Sequence, residues 1–518
     1  MREPNAPEVV RHVSLDIVNN SIKTGQLGGQ DLAFIKDNLL TYIRNVYSTA
    51  GNRLVQPDPL SIQNKITQTV TNLFTVLYET QWTSFFHDIL ALTTTTGNTA
   101  KDHGPGVLIY LRILISVHDE IADILMPRSP EEQRRDNKLK DLVRQRDTML
   151  IASSWHEILG LWKTKDDTIV RLCLTTIGKW VSWTDIALAV NDPLLHLLFD
   201  YLNPQQTSGA KGEVDERKNA AIETFIDILA KKMTAVDKLE LIEVLKIHEA
   251  ISQLTASPEL SEMRVTANYD TDLAESVAKL VNNTVTDIVR ALDGALEKDL
   301  VSQRGIPLLK SFMQHILRFL SDEYDEICST VIPCLTDLLT LLRKKATFSS
   351  TLGVEILPTL PFILDVIIAK LKYDETSFWG HEDTQTDEAE FQELRKRLHN
   401  LQKAVAAVDE AMYVEKIKSL VASTFDKFQA QNGQLDWREL ELALHEMELF
   451  GESAFKHGGL YSKTKPVTPA AEQLIGMMVK LVQTGTIHQY TMYDCQLIGI
   501  RYCFLLTSCR PAAIHGDL

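Results

Sequence analysis

The chain has 518 residues, of which 44% are hydrophobic and 24% charged; 69 acidic against 53 basic residues give a net charge of −16. This acidity excludes a non-specific nucleic-acid coat, which would show a basic excess, but leaves room for a local basic face. The length would ordinarily divide into several domains, yet Gly and Pro are thinly spread and no polar linker interrupts the apolar pattern, which favours one continuous repeat architecture.

The opening Met1-Arg2-Glu3-Pro4 lacks the apolar core of a signal peptide. Ile66, Val70, Leu73, Phe74 and Leu77 then form one helical stripe over 59–80. Val107, Leu111, Leu114, Val117, Ile121 and Leu125 form another over 107–125. Breakers recur between such stripes, at Gly28-Gly29, Pro57 and Pro59, Gly104-Pro105-Gly106, Pro127 and Pro130, Pro193, Pro204 and Pro258. The spacing predicts helix pairs of about forty residues each, the range of HEAT repeats. A single solenoid is expected over 1–500, followed by an atypical tail at 501–518.

Arg134, Arg135, Lys138, Lys140, Arg144 and Arg146 fall on one predicted helix with Asp136 and Asp141. Lys140 and Arg144 project away from Leu139, Leu142 and Val143, so they are expected to face solvent or a partner. Asp166-Asp167 opens a further helix, the acidic start suiting its dipole, and Arg171 is placed to hold adjacent repeats in register. Trp155, Trp180 and Trp183 sit among aliphatic neighbours and are read as packed core. Residues 204–218 read as a polar surface loop, and Asp322 to Glu326 as another acidic helix start.

Arg343-Lys344-Lys345 ends a predicted helix, and Arg395-Lys396-Arg397 lies inside another, after an acidic connector holding Asp374, Glu375, Glu382, Asp383, Asp387 and Glu388. Cations near helix ends satisfy the dipole; the alternative is phosphate contact on a folded RNA whose shape is read through its backbone. The apolar run Ile356 to Ile368 is broken by Pro358 and Pro361, is shorter than the ~18 residues of a membrane span, and reads as buried helix. Phe428 to Glu439 imitates a calcium loop, but Phe428 and Ala430 would occupy the first two ligand positions without a side-chain oxygen, so a helix–turn–helix is expected. The six cysteines contain no CxxC pair, so reduced thiols and no zinc site are expected. No phosphate-binding loop, nucleophile elbow or HExxH helix is present, and neither a cofactor nor an enzymatic activity is expected.

Several blocks, in order along the chain, resemble the exportin-T family of karyopherin-β receptors. They are Trp82-Thr83-Ser84-Phe85-Phe86 with Asp88; Tyr110-Leu111-Arg112 followed by His118-Asp119-Glu120; Arg134-Arg135-Asp136-Asn137 with Lys140-Asp141; Gly178-Lys179-Trp180-Val181-Ser182-Trp183 running on to Asn191-Asp192; and Lys372-Tyr373-Asp374-Glu375 leading to Arg395-Lys396. The resemblance is closest to fungal members and implies an all-α, right-handed solenoid of antiparallel HEAT pairs. It implies a receptor that binds tRNA together with Ran in its GTP-bound form and meets nuclear pore proteins. Such a receptor shuttles between nucleus and cytoplasm as a monomer, without membrane insertion, releases its cargo on GTP hydrolysis, and touches pre-tRNA splicing only indirectly. The basic positions 134, 135, 138, 140, 144, 343–345 and 395–397 become candidates for the tRNA backbone, and the acidic connector a candidate Ran contact. Measured against the family pattern, the chain is expected to be truncated at both ends. A protein-binding HEAT scaffold, or a fragment without the receptor's grip, is the alternative.

Overall fold

The computed structural model describes residues 7–47, 58–95, 98–202, 216–261, 269–297, 299–347, 349–374, 385–432, 434–455, 469–484 and Leu505. Among them the regular elements are helices, with no strand. In chain order they are α1 (Glu8–Lys23), α2 (Gly29–Tyr47), α3 (Leu60–Leu77), α4 (Phe85–Leu90), α5 (Gly104–Ile121), α6 (Pro130–Arg146), α7 (Thr148–Trp162), α8 (Asp167–Val181), α9 (Asp192–Leu202), α10 (Glu216–Leu229), α11 (Ala235–Val244), α12 (Ile247–Thr255), α13 (Pro258–Ser261), α14 (Thr271–Gly294), α15 (Leu300–Leu320), α16 (Asp325–Lys345), α17 (Thr351–Ile356), α18 (Leu360–Leu371), α19 (Gln385–Val408), α20 (Glu410–Ala430), α21 (Trp437–Phe455) and α22 (Pro469–Thr484).

Two compact units result: 1–233 with 241–263 and 267–280, and 234–240 with 264–266 and 281–518. In the first, α1, α3, α5, α8 and α10 stand side by side as one row, and α4, α7 and α9 line the other side. The predicted stripe of α3 is buried along its whole length, through Ile62, Ile66, Val70, Leu73, Phe74 and Leu77. That of α5 ends earlier than its spacing suggests. The helix stops at Ile121, and Leu125 is 85% exposed rather than buried. Asp166 caps α8, accepting from the Thr168 and Ile169 amides at 2.8 and 3.3 Å. Arg171 pairs with Glu216 at the start of α10, so it does link neighbouring helices of the row.

In the second unit, α15 packs on α16, α16 on α19, and α20 on both α21 and α22. Residues 351–371 are long and apolar enough, by length and composition, to cross a membrane. They are split by the turn at Pro358 into α17 and α18, and Ile356, Leu360, Ile363, Leu364, Ile367 and Leu371 are buried in the unit. The calcium-loop imitation is a helix–turn–helix: Phe428 is buried near the end of α20, and α21 begins at Trp437.

Candidate nucleic-acid interface

Helix α6 begins on a complete capping box. Ser129 Oγ accepts the Glu132 amide at 3.3 Å, Glu132 Oε2 accepts the Ser129 amide at 2.8 Å, and Pro130 fills the first helical position. Asp136, Leu139 and Val143 form its buried face. Its cations reach residues at the carboxyl ends of three helices of the row, where unpaired carbonyls and the helix dipole attract positive charge. Arg135 pairs with Glu120 at 3.4 Å, near the end of α5, and with Asp136 at 2.8 Å. Lys138 pairs with Glu79, just past α3. Arg144 Nε donates to the Trp183 carbonyl at 2.8 Å, just past α8, and its guanidinium stands 5.7 Å from the Trp183 ring centroid.

The candidates on α6 therefore divide. Arg135, Lys138 and Arg144 pair with neighbouring elements, and Arg144 is exposed as expected while also bonding to the Trp183 carbonyl. Arg134 is exposed, with no hydrogen bond or ion pair among the described residues. Lys140 is half-buried, and burial, then the neighbouring Arg144 and Arg128, lower its pKa against the opposing pull of Asp136 and Asp141. An ammonium in that setting is stabilised by an incoming anion.

At the second cluster Arg343 is exposed, Lys344 pairs with Asp293 at 2.6 Å, and Lys345 donates to the Leu292 and Ala295 carbonyls at 2.8 Å each. Lys345 thus caps α14. At the third, Arg395 is only 2% exposed. It forms a two-pronged pair with Glu441 at 2.9 and 2.8 Å, donates to the Leu371 carbonyl at 3.0 Å, and lies 4.3 Å from the Tyr373 ring centroid. Its burial overturns the expectation that it meets phosphate. Lys396 is exposed beside Glu393 at 3.1 Å, and Arg397 donates to the Ser329 carbonyl at 3.1 Å.

Of the acidic candidates, the Asp374 carbonyl accepts from Arg438 at 2.7 Å, and Glu388 accepts from Tyr373 at 2.9 Å and Gln392 at 2.7 Å. Glu375, Glu382 and Asp383 lie outside the described residues, as does the Asp387 side chain.

Several of the blocks that carry the family resemblance, those around Trp82, His118 and Trp180, lie in the first unit. Trp180 Nε1 donates to the Leu114 carbonyl at 3.0 Å, and Trp183 Nε1 to His118 Nδ1 at 3.1 Å. Burial drives the His118 pKa down to about 4, so the ring is neutral and can accept that bond. Lys179 pairs with Asp119 at 2.8 Å, and Asp88 accepts from Trp82 Nε1 at 2.9 Å. Trp155, Trp180 and Trp183 are 1%, 0% and 9% exposed, core residues as expected. Among the described residues no group of His, Cys, Asp and Glu could hold a metal ion. In the second unit a cavity of about 410 Å³ is lined by Leu292, Leu296, Ile306 and Leu352 with Glu297 and Lys345.

Residues 300–506 match the family model described as Exportin-T, and residues 59–225 that described as Exportin 1-like protein. Exportin-T of Emericella nidulans is 48% identical over 508 residues, covering 98% of this chain and 49% of that protein. Exportin-T of Aspergillus clavatus is 49% identical over 506 residues, with the same coverage, and that of Aspergillus fumigatus strain Af293 is 48% identical over 503, covering 96% and 48%. The chain spans about half the length of the curated relatives it matches. Among solved structures, importin 13 in its cytosolic state aligns over 93% of this chain and 59% of its own, with a TM-score of 0.60 at 13% identity. That likeness is one of fold: an all-helical chain similar to importin 13.

Proposed function

On the premise that the chain belongs to the exportin-T family, we propose that it acts as a nuclear export receptor whose cargo is tRNA, held cooperatively with Ran in its GTP-bound state. The observation that carries this reading is the 47–49% identity to Exportin-T sequences over 96–98% of the chain. The receptor works as a monomer, meets nuclear pore proteins in transit, and shuttles between nucleus and cytoplasm, with only an indirect bearing on pre-tRNA splicing. It does no covalent chemistry; release follows GTP hydrolysis on Ran. Arg134, Lys140 and Arg343, for which no ion pair is found among the described residues, are the proposed phosphate contacts. Asp374 and Glu388, with the rest of the acidic connector, remain the proposed Ran contact.

A protein-binding scaffold is the second reading. The cavity lined by Leu292, Ile306, Leu352 and Leu296, the last 76% exposed, favours it. Salt separates the two. tRNA held by several phosphates loses affinity steeply between 50 and 200 mM salt, a fall of roughly tenfold or more, whereas an apolar groove does not. A flat salt profile would favour the scaffold.

A further inference from the structure

We propose that Arg128 is a positioning residue for the RNA-facing side of α6, fixing the direction in which Arg134 and Lys140 are presented. This rests on the tRNA-binding reading above. The Arg128 side chain is 11% exposed and Asp136 is fully buried; Nε lies 2.9 Å from Asp136 Oδ2. Nη2 donates to the carbonyls of Glu120 at 2.7 Å and Asp119 at 3.2 Å, and Nη1 to those of Asp123 and Met126. One guanidinium thereby joins the last turn of α5, the connecting loop and the second turn of α6. The loop itself supplies no apolar anchor, since Ile124 and Leu125 are 92% and 85% exposed. The polar clamp therefore sets the angle at which α6 leaves α5. A lysine, with three donors on a point charge, cannot reproduce this fork.

The test compares the full chain with Arg128→Gln and Arg128→Lys variants. Hydrogen exchange is followed over 130–146, and tRNA binding is measured across a salt series with Ran carrying a non-hydrolysable GTP analogue. The expected result is unchanged helix content in both variants, at least tenfold faster exchange in α6, about tenfold weaker tRNA binding, and a log–log salt slope shallower by roughly one to two. Full rescue by Arg128→Lys would mean that charge alone matters and would overturn the proposal. So would unchanged exchange in α6, whatever the RNA does. If α6 loosens but the wild-type chain itself ignores tRNA, the tRNA reading has failed and the positioning role falls with it. Should Arg128→Gln not fold, Asp136→Asn removes the charge at nearly constant shape and carries the same readouts.

Discussion

Arg395, Glu441, Gln402 and Glu446 show what buried charge does in this chain. Arg395 and Glu441 are 2% and 0% exposed, so each depends on the other for the solvation it has lost. Replacing Arg395 with Ala strands Glu441 and should cost about 3–5 kcal/mol, read as a lower urea midpoint. A surface phosphate contact at the same position would cost almost nothing. Glu446 is fully buried, with both oxygens accepting from Gln402 Nε2 at 2.9 and 3.0 Å, and burial raises its pKa to about 7. The folded state thus holds that proton more tightly than the unfolded one. Its contribution is complete below about pH 4.5 and is lost as pH rises through 7. Glu446→Gln should therefore be more stable than wild type by roughly 3 kcal/mol at pH 8 and nearly equal to it at pH 4.5, in parallel denaturant titrations. These roles were not legible in the sequence. Arg395-Lys396-Arg397 looks like a solvated cationic run, and only the partner 46 residues away, Glu441, shows that its first member is core.

At the scale of the helix, cations bond to carbonyls beyond their own element. Lys231 donates to the Val181 and Thr184 carbonyls at 2.8 and 2.6 Å, Lys345 to Leu292 and Ala295, Lys370 to Asp322 at 2.8 Å, and Lys480 to Ala422 at 3.1 Å. Each reaches back about fifty residues, from 47 to 58; Lys231, Lys345 and Lys370 meet the end of an earlier helix, and Lys480 meets the interior of α20. The repeat period was readable from breakers and apolar spacing. This cross-repeat capping was not, because a cation at a helix end looks the same whether it serves its own carbonyls or a neighbour's. The same ambiguity hid the division within α6. Glu substitutions at Arg134 and Lys140 together should weaken tRNA binding by roughly tenfold or more at moderate salt, with circular dichroism unchanged. Arg144→Glu should instead lower the melting temperature by several degrees, since it removes the tie to the Trp183 carbonyl. Equal effects of the two sets on binding and melting would refute the division.

For the molecule as a whole, fold class was the most legible property. Stripes such as Ile66 to Leu77 recur with the helical period, and each helix pair repeats the same packing problem. The proposed function rests on collinear blocks such as Trp180 to Trp183, whose indoles tie α8 and the turn after it to α5. The proposed receptor couples two ligands, and by linkage that coupling must act equally in both directions. The most direct measurement is the affinity of this purified, monodisperse chain for tRNA with and without Ran bound to a non-hydrolysable GTP analogue. The export-receptor reading predicts tRNA binding at least tenfold tighter with Ran, on the order of 1.4 kcal/mol of coupling, and the same factor for Ran when tRNA is added first. Equal tRNA affinity in the two conditions, or no binding by the folded chain, would contradict it.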